Sequence, residues 1–171
     1  MALEPPIRAL HSTVMYARDA ASIATSIWLV RVTGSPDRID AIDILATGKA
    51  MASDAPAIRE ALRQLDAYFA GRLTVFALPL APAPTERGAV LRQGIVDIAY
   101  GSTASYGELA RLIQSSPRAI GQACARNPFP IVVPCHRILG AGGALGAYSA
   151  GNGPITKSRL LDHERPQGGL L

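Results

Sequence analysis

Three stretches in the N-terminal half of the chain have the hydrophobic pattern of β-strands. The run from Ile27 to Val32 is rich in apolar and β-branched residues, and the turn residues Gly-Ser-Pro follow it at 34–36. From Ile39 to Leu45 apolar and polar residues alternate, as expected of a strand with one buried face. A further strand is predicted from Thr74 to Leu78. This half therefore contains the strands of a small sheet.

One amphipathic helix is predicted between these strands, over residues 54–70. Its apolar positions recur at helical spacing and fall on one face: Ile58, Leu62, Leu65 and Phe69. Asp54 is the expected N-cap, and Gly71 follows the last helical turn. Strands and a helix together predict a small α/β unit.

A proline-rich segment separates the two halves of the chain. Residues 79–88, PLAPAPTERG, contain three prolines, which do not fit inside a helix or a central strand. We place a domain boundary near residue 85, between an N-terminal α/β domain (1–84) and a C-terminal domain (85–171). A long loop within a single domain is the alternative.

The second half begins with two predicted helices. The first spans Thr85 to Tyr100, and its apolar side is formed by Val90, Leu91, Ile95 and Ile98. The second spans Ser105 to Gln114. It begins with Ser105 and Glu108 at the spacing of a capping box, in which each residue hydrogen-bonds the backbone N–H of the other.

A third, short helix follows closely. Ser116 is its expected N-cap and Pro117 its first residue, and the sequence PRAIGQACARN consists largely of small side chains. Two short helices joined by a tight connection indicate a helix-turn-helix. Ordinary packing of small helices gives the same pattern and stays open at this point.

Composition narrows the class of protein without identifying it. Of the 171 residues, 49% are hydrophobic and 18% charged, which is typical of a globular chain, and the net charge of +4 suits a polyanionic partner. The two cysteines and three histidines have no metal-ligand spacing, so we expect neither a metal site nor a cofactor. The N-terminal MALEPPIRAL lacks a signal-peptide pattern, and no apolar run has membrane-span length. A cytoplasmic protein with no membrane partner is expected.

The segment that carries candidate chemistry surrounds Cys135. An apolar run, Ile131 to Val133, is predicted as a strand and leads through Pro134 to Cys135, His136 and Arg137. The thiolate is the nucleophilic form of cysteine, and a neighbouring imidazole or cation favours it. Taken singly, each residue has an ordinary structural interpretation as an inert buried cysteine, a packed histidine or an ion-pair arginine.

Taken together, these residues resemble a known family. The run Pro134–Arg137 after an apolar segment is the reactive motif of O6-alkylguanine-DNA alkyltransferases, also called methylated-DNA–protein-cysteine methyltransferases. The resemblance covers about residues 86–165. Further matching segments have the sequences SYGELA, PRAIG, RNPFP, GAYS and LLDHE, at 105–110, 117–121, 126–130, 146–149 and 160–164. The resemblance implies an α/β (α+β) protein with a small N-terminal strand–helix domain and a mostly helical, winged-helix-like C-terminal domain that contains the helix-turn-helix.

The resemblance also implies roles around the thiol. Cys135 is the implied alkyl acceptor, His136 its water-mediated base, and Glu164 the residue that orients His136, in a series similar in logic to a protease triad. Asn127 is expected to hold the turn that carries the thiol. The remaining implied roles concern the damaged guanine: Val133 and Ser149 supply backbone groups to it, and Tyr148 lies beside its O6.

The implied partner is double-stranded DNA containing O6-alkylguanine, and O4-alkylthymine is a further substrate left open. The family binds through the minor groove and rotates the damaged nucleotide out of the duplex. Arg118 is expected to fill the gap and Tyr106 to press on the adjacent phosphate. The other expected DNA-binding residues are Ala119, Gly121, Arg126 and Arg137.

The predicted function is stoichiometric DNA repair by a monomer that reacts once, because a thioether is not easily cleaved. The alternative is a non-enzymatic damage sensor or regulator that uses the helix-turn-helix, and a cysteine hydrolase is a third interpretation. Cys124 is expected to be a small packing residue, with a reactive thiol as the alternative. A longer loop is expected at residues 150–154, before the helix that carries Glu164.

Overall fold

The structure, a computed structural model, describes residues 18–165 of the chain. The segment MALEPPIRAL, in which no secretory signal is expected, lies outside the described residues. Within residues 18–165 no helix is both long and apolar enough to cross a membrane.

The N-terminal half forms a three-stranded antiparallel sheet that packs against one helix. The strands are β1 (Asp19–Ala24), β2 (Leu29–Ser35) and β3 (Arg38–Leu45), in the spatial order β1-β2-β3. Helix α1 (Pro56–Phe69) covers the sheet. The predicted apolar face of α1 is confirmed, since Ile58 and Leu65 are fully buried and its other two members are partly buried.

The structure contains one strand that the hydrophobic pattern does not predict, β1, and a second, β2, that ends later than predicted. Strand β1 has the sequence DAASIA, whose alanines and serine have little intrinsic β-propensity, and the hydrophobic pattern does not reveal it. Pairing with β2 supplies the missing stabilisation, with Ala21 opposite the fully buried Val32. Strand β2 continues through Gly34 and Ser35, so the turn lies at residues 36–37 instead of 34–36.

The predicted strand from Thr74 to Leu78 is wrong. The side-chain amide of Gln64 on α1 donates to the carbonyl of Ala77 at 2.9 Å and accepts from its N–H at 2.9 Å. One glutamine therefore satisfies the polar backbone groups at the position where a strand would need a neighbour. The predicted cap of α1 is also wrong, because Ala55 occupies the N-cap position without a side-chain hydrogen bond and Pro56 begins the helix.

The C-terminal half is mostly helical, as predicted. Its first helix, α2 (Glu86–Val96), begins with the Thr85 side chain accepting from the N–H of Gly88 at 3.0 Å. The helix ends before the predicted Tyr100. Three of the four predicted apolar positions are buried, but Val90 is 47% exposed and faces away from the core.

The next two helices form the predicted helix-turn-helix. Helix α3 (Tyr106–Leu112) starts with the predicted capping box, in which Ser105 and Glu108 exchange hydrogen bonds of 3.1 and 2.7 Å. Helix α4 (Pro117–Ala125) starts at the predicted N-cap, Ser116. The two helices pack against each other across residues 113–116.

A short parallel strand pair places the reactive segment next to the helix-turn-helix. Strand β4 (Ala104–Ser105), which leads into α3, pairs with β5 (Ile138–Leu139), which follows the Cys135 segment. Helix α5 (Pro154–Glu164) is the last described element, and it follows the expected loop, which ends at Gly153 because Pro154 already begins the helix. The C-terminal end of α5 contacts the turn Cys135–Arg137.

The two halves share one continuous apolar core. The proline-rich segment runs beside β3, where the N–H of Ile39 donates to Pro79 at 2.8 Å and its carbonyl accepts from Ala81 at 2.7 Å. The N–H of Ile42, also on β3, donates to the carbonyl of Pro128 at 2.8 Å. Backbone hydrogen bonds therefore hold the loop before the reactive cysteine against the N-terminal sheet.

The capping box gives a stability prediction. Replacing Ser105 with Ala removes one acceptor for the orphan N–H groups of α3 and is expected to cost about 1 kcal/mol of unfolding free energy. Urea denaturation followed by circular dichroism measures this loss. Ser102→Ala, at an exposed turn position outside the cap, serves as the control and should change stability little. Equal losses in both variants would contradict the capping role.

Candidate active site

Cys135 lies at the start of a single 3₁₀ turn, Cys135–Arg137, and is 3% exposed. The apolar run before it is a turn and not the predicted strand. Ile131 has a φ of 74°, in the left-handed region that β-branched residues rarely adopt. This residue is fully buried, so packing holds the strained backbone that directs the chain toward Cys135.

Asn127 holds this turn in the way that the prediction required. Its side-chain N–H group donates to the carbonyl of Val133 at 2.9 Å and to Sγ of Cys135 at 3.2 Å. Its side-chain oxygen accepts from the N–H of Phe129 at 3.0 Å. One amide therefore closes the loop at both ends and also places a donor on the sulfur, where it stabilises the thiolate.

His136 and Glu164 form the predicted pair in the interior of the protein. Nε2 of His136 lies 2.8 Å from Oε1 of Glu164, and both side chains are almost fully buried. Glu164 accepts hydrogen bonds from two further side chains at this site: one from the Tyr68 hydroxyl at 2.7 Å, and two from the Arg137 guanidinium at 2.8 and 2.9 Å. The carboxylate is thus the common acceptor of three side chains.

These contacts determine the protonation states of the pair. Burial alone would raise the pKa of Glu164, but the hydrogen bonds from His136, Arg137 and Tyr68 hold that pKa well below its usual range. Burial lowers the pKa of His136, although Glu164 partly opposes this effect. At neutral pH the carboxylate is therefore charged and the imidazole neutral.

An ionised carboxylate only accepts hydrogen bonds, so Nε2 of His136 must carry the proton of the neutral ring. The lone pair is then on Nδ1. This atom is buried and has no hydrogen-bond partner among residues 18–165. The ring therefore presents a free proton acceptor, as a general base requires.

The prediction that Arg137 contacts DNA is wrong. Its side chain is 6% exposed, and the guanidinium makes the paired hydrogen bonds with Glu164 and donates to the carbonyl of Ile98 at 2.6 Å. A phosphate cannot reach a guanidinium whose donors are committed in the core. Arg137 instead supplies the positive charge that offsets the buried carboxylate.

Lys157 and Cys124 are two neighbours of the thiol that the sequence did not predict. Lys157 is fully buried on α5, and its ammonium donates to the carbonyl of Ile138 at 2.6 Å. The contact with the Cys124 thiol contributes most to lowering the pKa of Cys135. Burial opposes it, and Asn127 and the charge of Lys157 add to the lowering. The same contact raises the pKa of Cys124.

Tyr148 and Ser149, two of the three residues predicted to bind the base, differ in their burial. The hydroxyl of Tyr148 is buried, has no hydrogen-bond partner among the described residues, and lies near enough to Cys135 for a thiolate to raise its pKa in addition to burial. Ser149 is exposed, and its hydroxyl donates to the carbonyl of Cys124 at 3.3 Å.

Val133 differs from its prediction. Its carbonyl accepts from Asn127 and from the N–H of Cys135, and its own N–H donates to Phe129 at 2.8 Å. Both backbone groups are committed to the turn, so neither is available to a base in this structure. We correct the role of Val133 to that of a structural residue in the reactive turn.

The helix-turn-helix presents the other predicted DNA-binding residues. Arg118 and Arg126 are exposed at the two ends of α4, and Ala119 and Gly121 are half-buried between them. A Cβ placed on Gly121 would meet no atom within 4 Å, so the helix surface is open at this point. Tyr106, at the start of α3, is half-buried and lies near both thiols, which add to the burial that raises its pKa.

Residues 18–165 contain no cluster of three or more His, Cys, Asp or Glu side chains that could hold a metal ion. The fold and the site define a helix-turn-helix protein in which a buried cysteine lies beside a histidine–glutamate pair. A family model described as 6-O-methylguanine DNA methyltransferase, DNA binding domain, matches residues 89–166. A second, described as the ribonuclease-like domain of the same proteins, matches residues 21–82. The chain belongs to this O6-methylguanine-DNA methyltransferase family.

Individual relatives agree with this assignment. The chain is 40% identical over 148 residues to a methylated-DNA–protein-cysteine methyltransferase of Mycobacterium leprae, covering 85% of this chain and 82% of the relative. A crystal structure of the Mycobacterium tuberculosis O6-methylguanine methyltransferase superposes with a TM-score of 0.74 and 33% identity, over 87% and 93% of the two chains. The Mycobacterium tuberculosis OGT in complex with DNA gives a TM-score of 0.72 and 35% identity, over 85% and 92%.

The buried carboxylate gives a prediction with a defined pH dependence. Glu164→Gln leaves Arg137 without its counter-charge and is expected to lower the unfolding free energy by about 3–5 kcal/mol at pH 7. The folded-state pKa of Glu164 is depressed, so its contribution is present above the ordinary value of 4.5 and declines as the pH falls below it. The gap between wild type and variant should therefore narrow in acid.

Urea denaturation at a series of pH values between neutrality and acid measures this gap. Asp162→Asn is the matched control, because Asp162 lies on the same helix and forms only an exposed ion pair with Arg165. A gap for Glu164→Gln that stays constant into acid would contradict the assignment of a charged, stabilising carboxylate.

Proposed function

We propose that this protein repairs alkylated DNA by moving the alkyl group from O6 of guanine to Cys135, once per molecule. The observation that carries this proposal is the state of the Cys135 thiol. It is buried, accepts a hydrogen bond from Asn127 and has a lowered pKa. Family membership supports the same conclusion, because the relatives are named for methyl transfer to a protein cysteine. A low-pKa thiolate held in one position is the nucleophile that such a transfer needs.

The transfer step uses residues already described. The Cys135 proton passes through a water molecule to Nδ1 of His136, which is the unpaired basic atom of the neutral ring. The sulfur then attacks the alkyl carbon, the bond from carbon to O6 breaks, and the electron pair leaves with the guanine. The Tyr148 hydroxyl stabilises the negative O6 as a hydrogen-bond donor, because its raised pKa keeps the phenol protonated.

The product is a thioether, and nothing in the proposed step regenerates the thiol. Each molecule therefore reacts once, and the amount of repaired DNA cannot exceed the amount of protein. Substrates with alkyl groups larger than methyl, and O4-alkylthymine, react by the same chemistry, so their rates of transfer test the size of the base-binding pocket.

Delivery of the base is proposed for the helix-turn-helix. A guanine inside a duplex cannot reach a residue that is 3% exposed, so the nucleotide must leave the stack. The small residues on α4 permit close approach to the minor groove, and Arg118 is the exposed side chain placed to fill the gap. Tyr106 is proposed to act on the phosphate beside the extruded nucleotide.

The proposed function also involves the domain organisation of the chain and its location in the cell. We propose a boundary near residue 85, with residues 1–84 and 85–171 as the two domains. The start of α2 at the Thr85 cap and the gap between the matched segments, 82 to 89, support it. We also propose a cytoplasmic location, which suits a protein that acts through a free thiol.

Replacing the acceptor tests the proposal directly. Cys135→Ser is expected to abolish methyl transfer from an O6-methylguanine duplex, because a serine hydroxyl is a far weaker nucleophile at neutral pH. Intact-protein mass and peptide mapping measure the outcome: wild type should gain one methyl group on Cys135 and no more. Cys135→Ala should still bind the duplex. Binding by wild type without any mass change would identify a damage sensor and contradict alkyl transfer.

The proposed role of Arg118 separates base extrusion from chemistry. Arg118→Ala is expected to slow repair of duplex DNA by about tenfold or more, while leaving the reaction with free O6-benzylguanine nearly unchanged. Single-turnover kinetics on both substrates measure the difference. Arg63→Ala, which removes an exposed arginine on α1, is the matched control for the loss of one positive charge. Equal slowing on both substrates in Arg118→Ala would rule out a role limited to extrusion.

A further inference from the structure

The second thiol of the protein lies in the same part of the core as the first. Cys124 is in the last turn of α4 and packs against the buried apolar core that contains Cys135. The interaction between the two thiols also lowers the pKa of Cys135 and raises that of Cys124. Asn127 connects the two positions, since its N–H donates to the carbonyl of Cys124 at 3.2 Å and its side chain donates to Sγ of Cys135 at 3.2 Å. The two cysteines therefore form a pair whose backbone positions are fixed by a shared neighbour.

The two members of the pair differ in accessibility. Cys135 is buried, whereas Cys124 is half-buried on the helix that carries the exposed Arg118 and Arg126. Lys157 lies near both sulfurs, and its positive charge adds to the lowering of the Cys135 pKa and offsets part of the raised pKa of Cys124. In the alkyl-transfer step only Cys135 forms a bond to the alkyl group, and Cys124 contributes only by lowering the pKa of Cys135.

We propose that Cys124 is a resolving thiol, which reacts with oxidised Cys135 to form an intramolecular disulfide when the protein meets a hydroperoxide. The disulfide withdraws the alkyl acceptor reversibly, and a dithiol reductant restores it. The inference rests on the proposed function for its consequence, the loss of repair, but the cross-link itself can be measured independently.

The reaction balances in two steps. The Cys135 thiolate attacks one oxygen of hydrogen peroxide, the O–O bond breaks, and hydroxide leaves, so that Cys135 becomes a sulfenic acid. The Cys124 sulfur then attacks the Cys135 sulfur, the S–O bond breaks, and a second hydroxide leaves. The protons of the two thiols convert both hydroxides to water. Overall, two thiols lose two electrons and the peroxide gains them.

A resolving thiol matters because of what happens without one. A thiolate nucleophilic enough to accept an alkyl group is also susceptible to oxidation, and a sulfenic acid that meets no thiol is oxidised further to an irreversible sulfinic acid. A neighbouring thiol intercepts the sulfenic acid. The same Cys135 can then be recovered, whereas alkylation consumes it permanently.

The test compares wild type with Cys124→Ala and Cys124→Ser after treatment with hydrogen peroxide. Wild type is expected to lose the mass of two hydrogen atoms and to give a cross-linked Cys124–Cys135 peptide under non-reducing conditions. Dithiothreitol should then restore most of its methyl-transfer capacity. In both variants Cys135 should gain two oxygen atoms, and recovery should fall below about a tenth of the untreated capacity of the same variant.

Expressing recovery relative to each untreated variant removes any effect of Cys124 on basal reactivity. Cys135→Ala is the control for the order of events, since Cys124 alone should remain largely reduced. Oxygen addition on Cys135 in wild type, with no cross-linked peptide, would overturn the inference. A cross-link in a protein that transfers no methyl group would support the inference and contradict the proposed function, so the two fail separately.

Discussion

The buried carboxylate of Glu164 is the group on which the arrangement of the site depends. It lies at the end of α5 and accepts hydrogen bonds from α1 through Tyr68, and from the reactive turn through His136 and Arg137. The N–H of Gly101 donates to the same group at 3.3 Å. Burying a carboxylate without partners costs several kcal/mol, so these donors and the carboxylate must be placed together as the protein folds. Because the buried Glu164 carboxylate needs these donors, it fixes the positions of α1, α5 and the turn Cys135–Arg137 relative to one another.

The same interaction links stability to chemistry. Arg137 balances the charge of Glu164 and allows the carboxylate to remain ionised in the core. The ionised carboxylate in turn fixes the proton of His136 on Nε2 and leaves Nδ1 free. Tyr68 adds a hydrogen bond from the N-terminal half to this carboxylate. The N-terminal half thus takes part in the site through this hydroxyl and through β3, where Ile42 holds the loop before Cys135.

Local sequence predicts those parts of the fold that local chemistry controls. The capping box at Ser105, the start of α4 at Ser116 and the buried face of α1 are confirmed, because each depends on residues a few positions apart. The segment from Thr74 to Leu78 could not be predicted in the same way. Its backbone is satisfied by a glutamine on a helix, and a strand-like composition does not reveal that partner.

In the site, too, local motifs predict some residues, whereas residues that depend on tertiary contacts are missed. The Pro134–Arg137 motif and the LLDHE segment identified Cys135, His136 and Glu164, which the structure brings together. Arg137 was assigned to DNA because an arginine beside a reactive cysteine gives no local sign of burial. Sequence reasoning also missed Tyr68 and Lys157, since each reaches the site from another helix. A buried lysine or tyrosine can be recognised only once its tertiary partners are known.

The most direct test of this account is the protonation state of His136. Nitrogen-15 NMR of the protein labelled at histidine nitrogens distinguishes the two neutral tautomers and the imidazolium. We predict a neutral ring at pH 7, with the proton on Nε2 hydrogen-bonded to the Glu164 carboxylate and with Nδ1 unprotonated. An imidazolium at pH 7, or a neutral ring that carries its proton on Nδ1, would contradict this prediction.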